Sequence, residues 1–312
     1  MTPLPQAVED YLELRRGLGF KLREYGECLH EFVSFLAERG AGHVTSALAV
    51  EYSCHRSYEK AVSWARRLTI IRGFAEYRQA TDPVTEVPHR RLLPFRSKRA
   101  RPYLYTQDEI VRLLQAAHTM ESPHPLRQRT HHCLLGLLAV TGMRLGEALG
   151  LRPEDVDLDQ GIITVRRTKF DKNRLVPLHP TTCAVLRDYT RLRDETHARR
   201  GRVVPFFFAA IHGTRLNNSN VNLVFRTLSR QIGLRKPGGG PGPRLHDFRH
   251  RFAVETLLRW YRGGEDVTRR MPVLSTYLGH GNVSGTYWYL TNTPELMSAA
   301  GELLEARWKG VA

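Results

Sequence analysis

Leu278–Leu290 reads LGHGNVSGTYWYL. Glycines on both sides of His280 set it in a tight turn. Tyr287 and Tyr289 follow on a short helix. At helical geometry two residues two apart point to different faces, so only one of these phenols can face whatever His280 faces.

Two more polar clusters stand upstream in otherwise apolar helical context. Leu245–Ala253 reads LHDFRHRFA and places His246 and Arg249 three apart, on one helix face. Thr141–Leu151 reads TGMRLGEALGL and places Arg144 and Glu147 three apart, again on one helix face. A guanidinium among apolar neighbours must be paired or must serve an anionic ligand. A structural ion pair is the plainer account of Arg144 and Glu147.

The elements around these clusters describe a mainly helical region. Thr106-Gln-Asp-Glu109 is a capping box at a helix start. A helix over Arg127–Val140 runs into Thr141-Gly142. Ile162–Arg166 and Arg174–Leu178 alternate as strands around the polar turn Thr168–Asn173, which predicts a small antiparallel β-hairpin. Helices are expected at about 181–197 and 218–232. A loop, KPGGGPGP over Lys236–Pro243, separates them from the last helices. Leu296, Met297, Ala300, Leu303 and Leu304 give the C-terminal stretch an amphipathic face. Such a face packs either onto its own domain or onto a neighbouring subunit.

Residues 1–86 read as a separate all-helical domain, a bundle of about four helices. Leu29, Phe32, Val33 and Leu36 keep helical spacing, as do Ala61, Trp64, Leu68, Ile71 and Phe74. Thr45 or Ser46 caps a helix between them. Residues 87–105 form a basic linker interrupted by Pro88, Pro94 and Pro102. Val87–Gln107 contains Arg90, Arg91, Arg96, Lys98, Arg99 and Arg101 and no acid. Such a segment either lies along a phosphate backbone or is a solvated tether. A second domain spans 106–312.

Bulk composition narrows the class. The 312 residues carry 47 Lys and Arg against 31 Asp and Glu, a formal charge of +16. Residues 1–100 hold 16 basic and 12 acidic side chains, so most of the excess lies downstream. A protein this basic is suited to a polyanion, nucleic acid first, although a basic surface also serves solubility. The longest apolar runs, Cys133–Val140 and Val203–Ile211, are core-sized, and no membrane partner is expected. The N-terminus has no secretion signal, so a cytoplasmic, nucleoid-associated protein is expected. Cys28, Cys54, Cys133 and Cys183 match no zinc spacing and read as four buried thiols in a reducing compartment.

Taken in order, Arg-x-x-Glu, His-x-x-Arg, and Leu-Gly-His with a tyrosine nine residues on resemble the tyrosine recombinase, or phage integrase, family. The resemblance covers most of 106–308. The helical first domain and basic linker resemble that family's DNA-clamping domain in organisation only. It implies a mainly α fold with a small β-hairpin or sheet. It further implies that Arg144 and Arg249 are the two catalytic arginines, with Glu147 supporting the first. His246 and His280 take the family's two histidine positions, and Tyr289 that of the nucleophile. In Thr168–Pro177, TKFDKNRLVP, it makes Lys169 the general acid. The turn departs from the family's glycine-rich form, which leaves Lys172 a rival. Tyr287 is a rival to Tyr289, its plainer role being core packing.

The chemistry suits those residue types. Attack on a phosphodiester builds negative charge on non-bridging oxygens, which two arginines and a histidine neutralise. A tyrosine is a competent covalent nucleophile, and a lysine can protonate the leaving 5′-oxygen. The phosphotyrosyl bond keeps the energy of the broken strand, so no ATP, metal or other cofactor is expected. The implied partners are double-stranded DNA, a homo-oligomer (a tetramer) on it, and accessory recombinases or DNA-bending proteins. The resemblance implies a mobile-element enzyme for integration, excision or transposition. Alternatives are a type IB topoisomerase-like enzyme and a DNA-binding protein without catalysis. His246 and His250 at i and i+4 also echo a zinc peptidase motif, but Asp247 is a short base and no third ligand is evident.

Overall fold

The computed structural model describes residues 2–20, 22–55, 61–93, 102–166, 173–236, 242–280, 282, 284–291 and 294–309. Lys169, Lys172 and most of the turn between them lie outside these residues, as do much of the glycine-rich loop and the basic stretch 94–101. The chain divides into two compact units, Met1–Ala100 and Arg101–Ala312.

The first unit contains α1 (Leu4–Gly17), α2 (Arg23–Glu38), α3 (Ser46–Cys54) and α4 (Ala61–Gln79). Its core gathers Val8 and Leu12 from α1, Leu29, Phe32 and Leu36 from α2, and Ile71 and Phe74 from α4. Of the residues that helical spacing picks out, Leu29, Phe32, Val33, Leu36, Leu68, Ile71 and Phe74 are buried, Trp64 is half-buried, and Ala61 is exposed in the first turn of α4. Between Thr45 and Ser46, the cap of α3 is Thr45, whose hydroxyl accepts the Leu48 N–H at 3.2 Å.

The second unit opens with α5 (Gln107–Thr119), α6 (Pro125–Thr141) and the single turn α7 (Leu145–Ala148). The capping box at α5 is complete: Thr106 Oγ1 accepts the Glu109 N–H, and Glu109 accepts the Thr106 N–H. A 3₁₀ turn at Pro153–Asp155 leads into β1 (Val156–Asp157), β2 (Ile162–Val165) and β3 (Arg174–Pro177). These make one antiparallel sheet in the order β1-β2-β3, with Ile163 opposite Val176 and Val165 opposite Arg174. Ile163, Val165 and Val176 turn inward, while Leu175 faces solvent. The hairpin therefore gains a third strand, two residues long, that sequence alternation is too short to reveal.

Six helices complete the described part of the unit: α8 (Pro180–Ala198), α9 (Asn218–Gln231), α10 (His246–Arg262), α11 (Val267–Leu278), α12 (Ser284–Thr291) and α13 (Pro294–Lys309). Helices α5 to α9 and the sheet share a large core. Helices α10 to α13 form a second one, in which Leu296 of α13 is fully buried against its own unit. No described helix is long and apolar enough to cross a membrane.

Two expectations need correction. Cys133 and Cys183 are buried, but Cys28 and Cys54 are only half-buried, and all four are free. Tyr287 is not a core residue: it is exposed, because the face of α12 that meets α10 and α11 is the one carrying Thr286 and Tyr289.

Candidate active site

Two helix ends build the floor of the site. Helix α6 stops at Gly142, whose φ of +62° suits glycine and whose Cβ, if it had one, would lie 2.9 Å from Phe252. Helix α11 stops at Gly279, also left-handed, with φ +67°. Arg249, in the first turn of α10, lies between these ends. It donates to Gly142 O at 3.0 Å and to Leu278 O at 2.5 Å, and it is 1% exposed. The carbonyls at a helix C-terminus carry partial negative charge, which makes this a favourable seat for a buried guanidinium.

Arg144 meets the same floor from another side, donating to Gly279 O at 2.9 Å. It does not share a helix face with Glu147, as residue spacing suggests. Arg144 is the extended N-cap residue of α7, and Glu147 is the third residue of that turn. Glu147 accepts the Arg144 backbone N–H at 2.9 Å and its guanidinium at 2.8 Å. The pairing survives the change of local structure because an N-cap and its N3 residue face each other as closely as i and i+3 in a helix.

A third arginine completes this cluster. Arg174, the first residue of β3, donates to both carboxylate oxygens of Glu147, at 3.1 and 2.6 Å. Burial opposes ionisation of Glu147, but Arg174 and then Arg144 outweigh it and hold the carboxyl down at about 2. Two guanidiniums thus share one carboxylate, and Arg249 on the neighbouring carbonyls adds a third, leaving a surplus of positive charge.

The histidines respond to that surplus. His280 follows the Gly279 turn, and its Nδ1 lies 2.7 Å from the hydroxyl of Thr286. Burial, then Arg249 and Arg144, push its pKa down to about 4. His250, one turn after His246, is 8% exposed and is pushed to about 4 by burial and then by His246. His246 itself stands at the mouth, exposed, and its pKa is lowered by its packed surroundings and then by Arg249. Arg249 is lowered to about 10 by burial and by Arg144. All three rings are neutral at neutral pH.

Tyr289 closes the cluster. Its ring is 3% exposed, 5.4 Å from the His250 ring and 6.2 Å from the His280 ring between centroids. Arg144, Glu147, His246, Arg249, His280 and Tyr289, drawn from three separate sequence boxes, therefore converge on one place. Lys169 is outside the described residues. Asp247 is not available as a metal-site base, since Arg244 binds it at 2.8 Å from both its backbone N–H and its guanidinium. Among the described residues no group of three or more His, Cys, Asp or Glu is placed to hold a metal ion.

The description "Phage integrase family" matches residues 104–295. The chain belongs to this family of tyrosine recombinases. A Sinorhizobium fredii protein named as an integrase/recombinase, y4rB, is 49% identical over 312 residues, covering 99% of each chain. The tyrosine recombinase XerD of Mycobacterium tuberculosis is 30% identical over 91% of each. Among solved structures, the Tn1549 transposon integrase in complex with transposon right end DNA superposes with a TM-score of 0.66 at 15% identity, over 98% of this chain and 99% of that one. A lambda integrase dimer bound to a core site gives 0.56 at 18% identity, over 90% and 96%. At these identities the structures attest the shared fold alone. The enzyme class, a tyrosine-type site-specific recombinase, follows from the family.

Sequence reasoning missed Arg174 and the role of Thr286 as a partner of His280. Arg174 looks like an ordinary strand residue, 27 positions from Glu147. Its only local signal is an arginine at an inward position of a strand otherwise lined by Val176.

Proposed function

We propose that this recombinase cleaves and rejoins duplex DNA through a 3′-phosphotyrosyl intermediate, with Tyr289 as nucleophile. The observation that carries this reading is the convergence of Tyr289 with Arg249, Arg144 and two neutral histidines, while Tyr287 points outward. Phosphate meets Arg144, His246 and His280 first, since Arg249 and Tyr289 lie beneath them. The Tyr289 oxygen bonds to phosphorus and the bond to the 5′-oxygen breaks. Arg144 and Arg249 offset the charge that grows on the non-bridging oxygens. The phenol gives up its proton, for which a neutral histidine beside it is a suitable acceptor. Lys169, or its rival Lys172, supplies the proton that the 5′-oxygen takes as it leaves. Attack by a second strand's 5′-hydroxyl then reverses the step and exchanges strands.

The partners that fit this activity are two DNA duplexes and further copies of the chain, a tetramer in all, with accessory recombinases or DNA-bending proteins. The setting is the cytoplasm, at the nucleoid, and the biological role is that of a mobile element's enzyme. The charge of +16 supports the DNA partner.

The test is a covalent-adduct assay. Wild type, Tyr289→Phe and Tyr287→Phe are incubated in excess EDTA with labelled, nicked duplex from the gene's own flanks and run on a denaturing gel. A slow band lost only in Tyr289→Phe is the expected result. Loss only in Tyr287→Phe overturns the choice of nucleophile. Relaxation of a supercoiled plasmid lacking any such site favours a topoisomerase. Tight salt-sensitive binding with no adduct favours a DNA binder without catalysis.

A further inference from the structure

We propose that Arg174 is a positioning residue for strand cleavage, acting on Arg144 through Glu147; the inference rests on the recombinase reading above.

Glu147 is fully subscribed. Its Oε1 accepts from Arg144 at 2.8 Å and from Arg174 at 3.1 Å, and its Oε2 accepts from the Arg144 backbone at 2.9 Å and from Arg174 at 2.6 Å. A glutamate carboxylate turns easily about its last torsion. The fork of Arg174 fixes the carboxylate plane, as a bidentate guanidinium does, and that plane sets the direction of Arg144. Arg174 is itself held, being 7% exposed and built into the first position of β3. Its Nη1 and Nη2 are both committed to Glu147, whereas Arg144 is 35% exposed and divides its fork between Glu147 and Gly279 O.

Charge gives the same answer. A carboxylate paired with Arg144 alone cancels the charge that a phosphate needs to meet. With Arg174 sharing that carboxylate, the group of three keeps one net positive charge, and Arg144 retains its pull on an anion. Arg174 therefore does two things for Arg144: it aims it and it prevents its neutralisation.

The test uses Arg174→Met, which keeps the length of the stem, and Arg174→Lys, which keeps the charge without the fork. Single-turnover cleavage is measured on the nicked duplex and on the same duplex with a methylphosphonate at the scissile position, where one charged oxygen is replaced by a neutral methyl group. DNA affinity and thermal unfolding are measured alongside. On the ordinary phosphate, Arg174→Met is expected to slow cleavage roughly 10–100-fold, the range seen when a group that orients a ligand is lost from behind it. DNA affinity is expected to stay unchanged. On the methylphosphonate most of the slowing should disappear, because there is less charge to offset. Combining Arg174→Met with Glu147→Gln should cost no more than the worse single change.

Equal slowing on both substrates overturns the proposal and leaves Arg174 a structural residue. So does wild-type cleavage by Arg174→Met. If Arg174→Met does not fold, Arg174→Lys decides by the same comparison: slowing on the phosphate that shrinks on the methylphosphonate supports the proposal, and equal behaviour on both overturns it. Failure of the wild-type protein to form any adduct is a different result, which removes the recombinase reading itself.

Discussion

Gly279 tolerates no side chain. Its φ is +67°, and an added Cβ would lie 2.9 Å from Arg174 Nη1 and 3.5 Å from Arg144 Nη1. Gly279→Ala is expected to cost about 1 kcal/mol or more in urea unfolding, from the backbone alone. Cleavage should fall further than that loss explains, since the same atom pushes the Arg174 guanidinium away from its place on Glu147. The titrating groups of the site make a second residue-scale prediction. His250 and His280 have pKa values of about 4 against 6.5, and Glu147 about 2 against 4.5. Both kinds of depression act in one direction. The histidine contribution to stability is complete above about pH 6.5 and is lost as pH falls through about 4. That of Glu147 is complete above about 4.5 and is lost as pH falls through about 2. Urea unfolding followed against pH should show the upper window flattened in His250→Gln and the lower one retained. The residues of this site were legible because short spacings such as Arg-x-x-Glu and His-x-x-Arg are local. Arg174 was not, since its bond to Glu147 exists only once β3 lies against α7, and no spacing in the chain announces that.

Helix α12 carries both Tyr289 and Thr286, and Thr286 is fully buried with its hydroxyl 2.7 Å from His280 Nδ1. One element thus carries the proposed nucleophile and a partner of the histidine. Thr286→Val keeps the shape and deletes the hydroxyl. Cleavage is expected to slow by roughly 10-fold or more at unchanged DNA affinity, a loss of the size expected when a ring loses the partner that orients it. Single-turnover kinetics with a parallel binding titration decide it, and an unaltered rate would show that His280 needs no such partner. The three helices bounded from the sequence fall within two residues of their positions, 127–140 against 125–141, 181–197 against 180–198 and 218–232 against 218–231. Capping residues and apolar spacing are written in consecutive positions. Strand β1 and the N-cap geometry of Arg144 were hidden for the opposite reason. A two-residue strand has no period, and i to i+3 spacing fits a helix face and a capping turn equally well.

At the scale of the whole molecule, charge governs the encounter with DNA. With 47 basic side chains, contact with many phosphates is expected, and affinity should fall by roughly 10³–10⁵ between 50 and 200 mM salt if six to ten are neutralised. A logarithmic plot of dissociation constant against salt measures that number, and a flat line would contradict a DNA-clamping surface. Charge sums are visible in any sequence, so this property was legible from the start. The packing of α13 was not: its apolar face is equally suited to its own unit or to another, and burial of Leu296 within the α10–α12 core shows one packing that alternation alone does not choose.

Tyr289 lies against arginines and histidines of its own chain, and this has a genetic consequence. Two inactive chains, one Arg249→Ala and the other Tyr289→Phe, have nothing to lend each other: neither can complete the other's pocket. Mixed in one assembly they should remain as dead as either alone, with no complementation in an adduct assay. A Tyr289→Phe chain that still folds and binds should instead behave as a dominant poison, occupying places at the DNA that an intact copy needs. Recovery of adduct in the mixture would mean that the tyrosine crosses between subunits when the assembly acts.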